Sequence, residues 1–210
     1  MSAMEKKLSR AEQKARRPHE ILDAAFEEFV EKGYAATRVE DVGARLGVTK
    51  GTVYLYFPTK EALFEATIGH VSAPFEDVRA SIDALQGSHS DRLRQLLLLG
   101  YDKLAGDRKT RELLRLQLAE GSRFPNIIDR HYGEFVAPLL DAVRALIEQG
   151  VASGEFHQGA AASMPEVVIS SAIHLTIWKL IFADRNPIDE ATFIEAHIDL
   201  VLNGLLARRR

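Results

Sequence analysis

Residues 39–56 read VEDVGARLGVTKGTVYLY. Two short helices meeting at a steep angle around a tight turn need particular residues at particular places. The first helix needs a small residue where the second crosses it. The turn needs a glycine, because its backbone adopts positive φ, and apolar residues must then lock the pair. Gly43 supplies the small position, Gly47 the turn and Val53 the apolar residue of the second helix. Val42, Leu46, Val48 and Tyr56 are spaced to fill the interior between them. Meeting all these requirements at matched spacing is far more specific than meeting any one of them. The stretch is predicted to be a helix-turn-helix.

Outward from this stretch the punctuation is helical throughout. Pro18 suits the first turn of a helix, where its missing N–H matters least. Ile21, Leu22, Ala25, Phe26, Phe29 and Val30 then recur at three- and four-residue spacing, and Gly33 follows as a stop. Thr37 to Glu40 has the form of a capping box. Thr49 is placed to cap the second helix of the pair, which should run to about Tyr56 before Pro58 blocks it, and Thr59 opens the next. Further helices are expected near 74–86, 90–104, 108–120, 126–152, 163–184 and 189–206, with a kink at Pro138. No segment alternates with period two for the length of a strand, so the expected fold is all-α.

Composition excludes several classes. The 210 residues contain no cysteine, which removes disulfide frameworks, thiolate metal sites and cysteine nucleophiles and suits a reducing compartment. The apolar runs are short against the roughly 20 residues a bilayer needs, and the basic N-terminus has no apolar stretch behind it. A cytoplasmic protein is expected, with no membrane partner. The net charge of −3 conceals an uneven distribution. Before Pro18, six basic residues (Lys6, Lys7, Arg10, Lys14, Arg16, Arg17) face only Glu5 and Glu12. Residues 1–17 are expected to be a basic, flexible arm. Charge alone leaves open whether it is merely solvated or lies near nucleic-acid phosphate.

The second helix of the pair has a slim N-terminal end, Lys50, Gly51 and Thr52, fit to enter a major groove about 12 Å wide. Tyr54 and Tyr56 offer hydroxyls to phosphate or ring faces to thymine methyls, and either can equally be a packing residue. Thr37, Arg38 and Lys60 flank this helix, where they can hold backbone phosphates. Thr37 and Thr49 can also be plain caps, and Arg45 a solvated charge.

The run GVTKGTVYLYFPTKEALF, with TRVEDVGARL and ILDAAFEEFVEKGYAATR before it, closely resembles the DNA-binding domain of the TetR family of bacterial transcriptional regulators. The resemblance covers about residues 18–66. It implies a three-helix DNA-binding domain over 18–66 and a helical effector-binding and dimerisation domain over 67–210. It also implies a homodimer on a palindromic double-stranded operator, usually as a repressor. By position it implies groove-facing roles for Lys50, Gly51, Thr52, Tyr54 and Tyr56 and phosphate binding for Lys60. The sequence departs at Gly43, where the family usually has alanine, so slightly lower stability with intact geometry is expected.

The segment AEGSRFPNIIDRHYGEFVAPLLDAVRALIEQGVASGEF resembles, more weakly, the C-terminal domain of one subgroup of that family. Met164 to Ala183 is apolar almost all round, and such a helix must be covered on every side. Together with the last helix it is the expected homodimer interface. Polar and aromatic residues in this half, Tyr101, Phe124, His131, Phe135, Ser170, His174 and Trp178, are candidates for a small-molecule effector pocket; His174 and Trp178 can instead lie in the dimer seam. The seven histidines fall in no familiar ligand motif, and no phosphate loop or nucleophile elbow appears, so no metal, cofactor or catalysis is expected. Effector binding is expected to act through the helix opened by Thr59, interrupted by Gly69 and Pro74. The competing possibility is a helical-bundle carrier or adaptor whose helix-turn-helix merely packs.

Overall fold

The structure is a computed structural model and describes residues 10–72, 81–82 and 84–207. Among these it is helical with no strand; only an isolated bridge pairs Phe156 with Leu206. The helices are α1 (Arg10–Ala36), α2 (Val39–Leu46), α3 (Lys50–Tyr54), α4 (Lys60–Ser72), α5 (His89–Tyr101), α6 (Arg108–Glu120), α7 (Pro125–His131), α8 (Ala137–Ala152), α9 (Pro165–Phe182) and α10 (Glu190–Leu205). Single wider π turns occupy Asp102–Gly106 and Tyr132–Val136. The chain divides into two compact units, residues 1–71 and 72–210. The division falls at the end of α4, within which the expected boundary at residue 66 lies.

In the first unit, α1 buries the expected stripe of Ile21, Leu22, Ala25, Phe26 and Phe29. Gly33 breaks the helix as expected, at φ 76°, but one more turn follows it. Phe29, Tyr34 and Phe64 pack ring against ring, with centroids 4.9 to 5.9 Å apart, tying α1 to α4. α1 starts at Arg10 rather than at Pro18, so residues 10–17 of the expected flexible arm are helical. Arg17 pairs with Glu20 one turn on, across Pro18, at 3.1 Å. Residues 1–9 lie outside the described residues.

The second unit is built around Leu93, Leu96 and Leu97 of α5, Val143, Leu146 and Ile147 of α8, and Val168, Ile198 and Leu205 of α9 and α10. A second, smaller cluster joins Tyr101, Ala105, Ala172 and Leu175. Pro138 lies in the first turn of α8, two residues after the π turn Tyr132–Val136, which stands where a kink was expected. Glu155 fastens the start of α5: its carboxylate accepts from the backbone N–H of His89 and Ser90, both at 2.9 Å, and from the Ser90 hydroxyl. The expected helix 74–86, with Pro74, lies mostly outside the described residues. α9 is long and apolar enough to cross a bilayer, against the expectation that no segment is. Its Val168, Ala172 and Leu175 are instead packed into both cores of the unit.

Candidate nucleic-acid interface

The helix-turn-helix is assembled by backbone constraints. Gly47 takes the left-handed conformation (φ 68°), and its N–H and that of Val48 return to the Ala44 and Gly43 carbonyls at 3.1 and 2.9 Å. Thr49 caps α3, its hydroxyl accepting from the Thr52 N–H. α3 ends at Tyr54 rather than Tyr56, and the chain leaves in a turn through Leu55 to Phe57. Gly43 sits so close to the second helix that an added Cβ would lie 2.8 Å from the Val48 carbonyl oxygen and 3.3 Å from the Lys50 nitrogen. The expectation that glycine merely loosens this helix is therefore corrected: these helices cross more closely than an alanine permits.

Of the predicted contact residues, Arg38, Lys50, Gly51 and Tyr54 are exposed, while Thr52, Tyr56 and Lys60 are half-buried. Lys50 Nζ is 2.8 Å from the Glu40 carboxylate, which favours the charged form of both groups. Lys60 is held at the start of α4, donating to the Ala35 carbonyl at 3.2 Å with its ammonium over the Tyr34 ring. Thr37 is corrected. Its side chain is only 2% exposed, and its hydroxyl lies 3.0 and 2.8 Å from the Glu28 and Gly33 carbonyls. It pins α2 to α1 and cannot reach a phosphate. The capping of α2 is likewise by Asp41, which accepts from the Arg38 N–H at 3.3 Å, and not by Glu40.

Sequence reasoning missed two features here. One is an ion network centred on Glu28, whose side chain is 6% exposed: Lys32 and Arg45 both reach it at 2.7 Å, Lys32 continues to Asp41, and Arg45 to Glu31. Burial alone would raise the Glu28 pKa, but these cations hold it below its usual range. Arg45 is thereby a strut between α1 and α2. Its partners lie 14 and 17 positions away, a separation with no periodic signal. The other is Leu55, 84% exposed at the end of α3.

Of the effector candidates, Tyr101 and His174 both meet Phe193 of α10, at ring-centroid distances of 6.4 and 6.1 Å. Tyr101 is buried, with its hydroxyl 2.9 Å from His197 Nδ1; burial pushes the phenol up to about 12 against the opposing effect of Ser171. Burial also lowers the pKa of His197, opposed by the Val168 carbonyl, so both groups are neutral near pH 7. His131 and Phe135 stand together at the second π turn, ring centroids 5.4 Å apart, while Phe124 precedes α7. Burial lowers the His131 pKa, partly offset by Glu134. Ser170 and His174 are exposed, and Trp178, 6.0 Å from His174, donates to the Asn186 carbonyl. Ser170 and His174 thus lie at the surface of α9, and Trp178 beside them is half-buried. An apolar cavity of about 40 Å³ instead lies between α5, the first π turn, α8 and α9. Leu96, Leu97, Leu104, Leu139, Ile169 and Ala172 line it, with Lys103 the one charged residue of its wall.

Residues 21–67 match the family model described as bacterial regulatory proteins, tetR family. The chain is 25% identical over 199 residues to the fatty acid metabolism regulator protein of Bacillus subtilis, covering 91% of this chain and 98% of that one. Among solved structures, a transcriptional regulator from Saccharomonospora viridis in complex with choline aligns at TM-score 0.77 and 18% identity, over 92% of this chain and 100% of its own. FadR from Bacillus subtilis in complex with stearoyl-CoA aligns at 0.66 and 23%, over 89% and 98%. The two structures share the fold across both units. The close-crossing pair of helices, the left-handed Gly47 and the family match over the same residues lead to one conclusion: residues 21–67 form a DNA-binding domain of the tetR family, and the chain is a helix-turn-helix transcriptional regulator.

Proposed function

We propose that the protein is a cytoplasmic, effector-responsive repressor that binds a palindromic operator as a homodimer. The observation that carries this reading is the solvent-facing end of α3. Lys50, Gly51 and Tyr54 are exposed there, although α3 is anchored from behind by the fully buried Val53. Gly51 supports it further, since an added Cβ would meet only the Thr49 hydroxyl, at an ordinary 3.6 Å. The fold does not need that glycine, whereas close approach to a groove floor does. Thr52, Tyr54 and Tyr56 read bases or the adjacent backbone, and Arg38 and Lys60 hold flanking phosphates. Lys50 exchanges Glu40 for a DNA acceptor.

Two-fold reading requires a partner. The exposed apolar side chains of α9 (Val167, Ile173, Ile181 and Phe182) and Leu200 of α10 supply the self-complementary face, in which Ser170, His174 and Trp178 take part. The effector carries an aliphatic portion suited to the leucine-lined cavity, a chemistry shared with the relatives named for fatty acid metabolism and for bound stearoyl-CoA. A choline-bound relative of the same fold makes ligand class a property of the cavity wall rather than of the fold. α4 runs unbroken through Gly69, so any effector-driven shift acts on a rigid helix and not on a break at that glycine.

Affinity for duplex DNA as a function of salt tests this reading. Phosphate and groove contacts make log affinity fall linearly with log salt. Lys60→Ala should weaken all duplexes about equally and lower that slope by about 1. Thr52→Ala should act mainly on the operator, at about 1–3 kcal/mol. A carrier or adaptor would bind no duplex, and uniform loss in both variants would contradict the assignment of Thr52 to base reading.

A further inference from the structure

Leu55 is the most exposed large hydrophobic residue described, at 84%, next to Tyr54 at 41%. It is in helical conformation at the end of α3, and its N–H returns to the Gly51 carbonyl at 3.1 Å. Residues four apart on a helix lie one above the other on the same face. Gly51 and Leu55 therefore form one exposed strip, bare backbone at one end and an isobutyl group at the other. Among the described residues the fold uses neither: Val53 makes the packing contact of α3, and a Cβ at Gly51 would meet nothing nearer than the Thr49 hydroxyl at 3.6 Å. The strip has no hydrogen-bonding side chain, so it cannot read a base through donors and acceptors. What it can read in a major groove is the thymine C5-methyl, the one apolar group on a base edge there.

We infer that Leu55 is a specificity-determining residue that selects thymine at one position of each operator half-site through its methyl group. Gly51 lets the backbone come close enough for that contact. The inference rests on the proposal that α3 enters the major groove, and goes beyond it in naming an apolar determinant and the base it selects. Tyr54 and Thr52 keep the polar part of the readout.

The test uses the full-length protein and the palindromic duplex recovered for it from a random pool. Each thymine is replaced in turn by deoxyuridine, which removes only the methyl group. One symmetry-related pair of thymines should prove sensitive, with about a fourfold loss of affinity per methyl, the equivalent of ~0.8 kcal/mol. Leu55→Ala should bind the thymine and deoxyuridine duplexes equally, while its melting temperature matches the parent. A recovered half-site without thymine, indifference of the parent protein to every methyl, or a sensitivity that persists in Leu55→Ala would each overturn the assignment. If uracil-insensitive binding to a palindrome remains, the DNA-reading proposal stands and only the role of Leu55 fails. If no duplex is recovered, both fail.

Discussion

At the scale of single residues, two glycines eight positions apart do opposite work: Gly43 serves the fold and, in the proposed reading, Gly51 serves the groove. An added methyl at Gly43 meets backbone at 2.8 Å, which only a shift of the turn can relieve. Helix propensity favours alanine by roughly 1 kcal/mol, but overpacking against backbone costs about 1–3 kcal/mol. Gly43→Ala should therefore destabilise the protein, read as a lower urea midpoint. Gly51→Ala should leave stability unchanged or slightly raised while weakening operator binding at least tenfold. Unchanged DNA affinity in Gly51→Ala would contradict close backbone approach. The sequence made Gly43, Gly47 and Val53 legible because each satisfies a local requirement at fixed spacing. It misplaced Thr37 because a hydroxyl ahead of a helix is also what a buried pin looks like. Only the Glu28 and Gly33 carbonyls, brought in by α1, distinguish the two.

At the scale of elements, caps and turns decide where helices begin, and Glu155 is the clearest case. Burial would raise its pKa, but hydrogen bonds from Ser90 and His89 pull it down to about 2, against an ordinary 4.5. A group whose folded pKa is depressed contributes stability that is fully present above its unfolded value. That contribution is lost as pH falls from about 4.5 through about 2. Glu155→Gln should remove it, costing on the order of 2 kcal/mol at pH 7, with parent and variant converging in acid. A difference independent of pH would contradict this account of the α5 start. Helix positions were legible from glycine and proline punctuation. The π turns at Asp102–Gly106 and Tyr132–Val136 were not, since they arise from packing, and only Pro138 signalled one of them.

At the scale of the whole molecule, an all-α chain with a DNA-reading pair of helices was legible because the motif is local. The cavity proposed as effector site was not, because it depends on which side chains α5, α8 and α9 bring together. Aromatic and polar residues drew attention in the sequence, yet the cavity is walled mainly by leucines that composition cannot distinguish from core. The apolar face of α9 bears on assembly. Ile173→Asp combined with Ile181→Asp, both at exposed positions, should leave the fold intact, yield monomers in sedimentation, and lower operator affinity at least tenfold. A dimer that survives this pair would move the interface elsewhere.

The central claim is that two copies of α3, related by two-fold symmetry, occupy successive major grooves. Sequencing the duplexes that the full-length protein selects from a random pool tests it most directly. The account predicts an inverted repeat whose half-site centres are about 34 Å, one helical turn, or a multiple of it apart. Recovery of a single unrepeated motif, or of no motif at all, would contradict it.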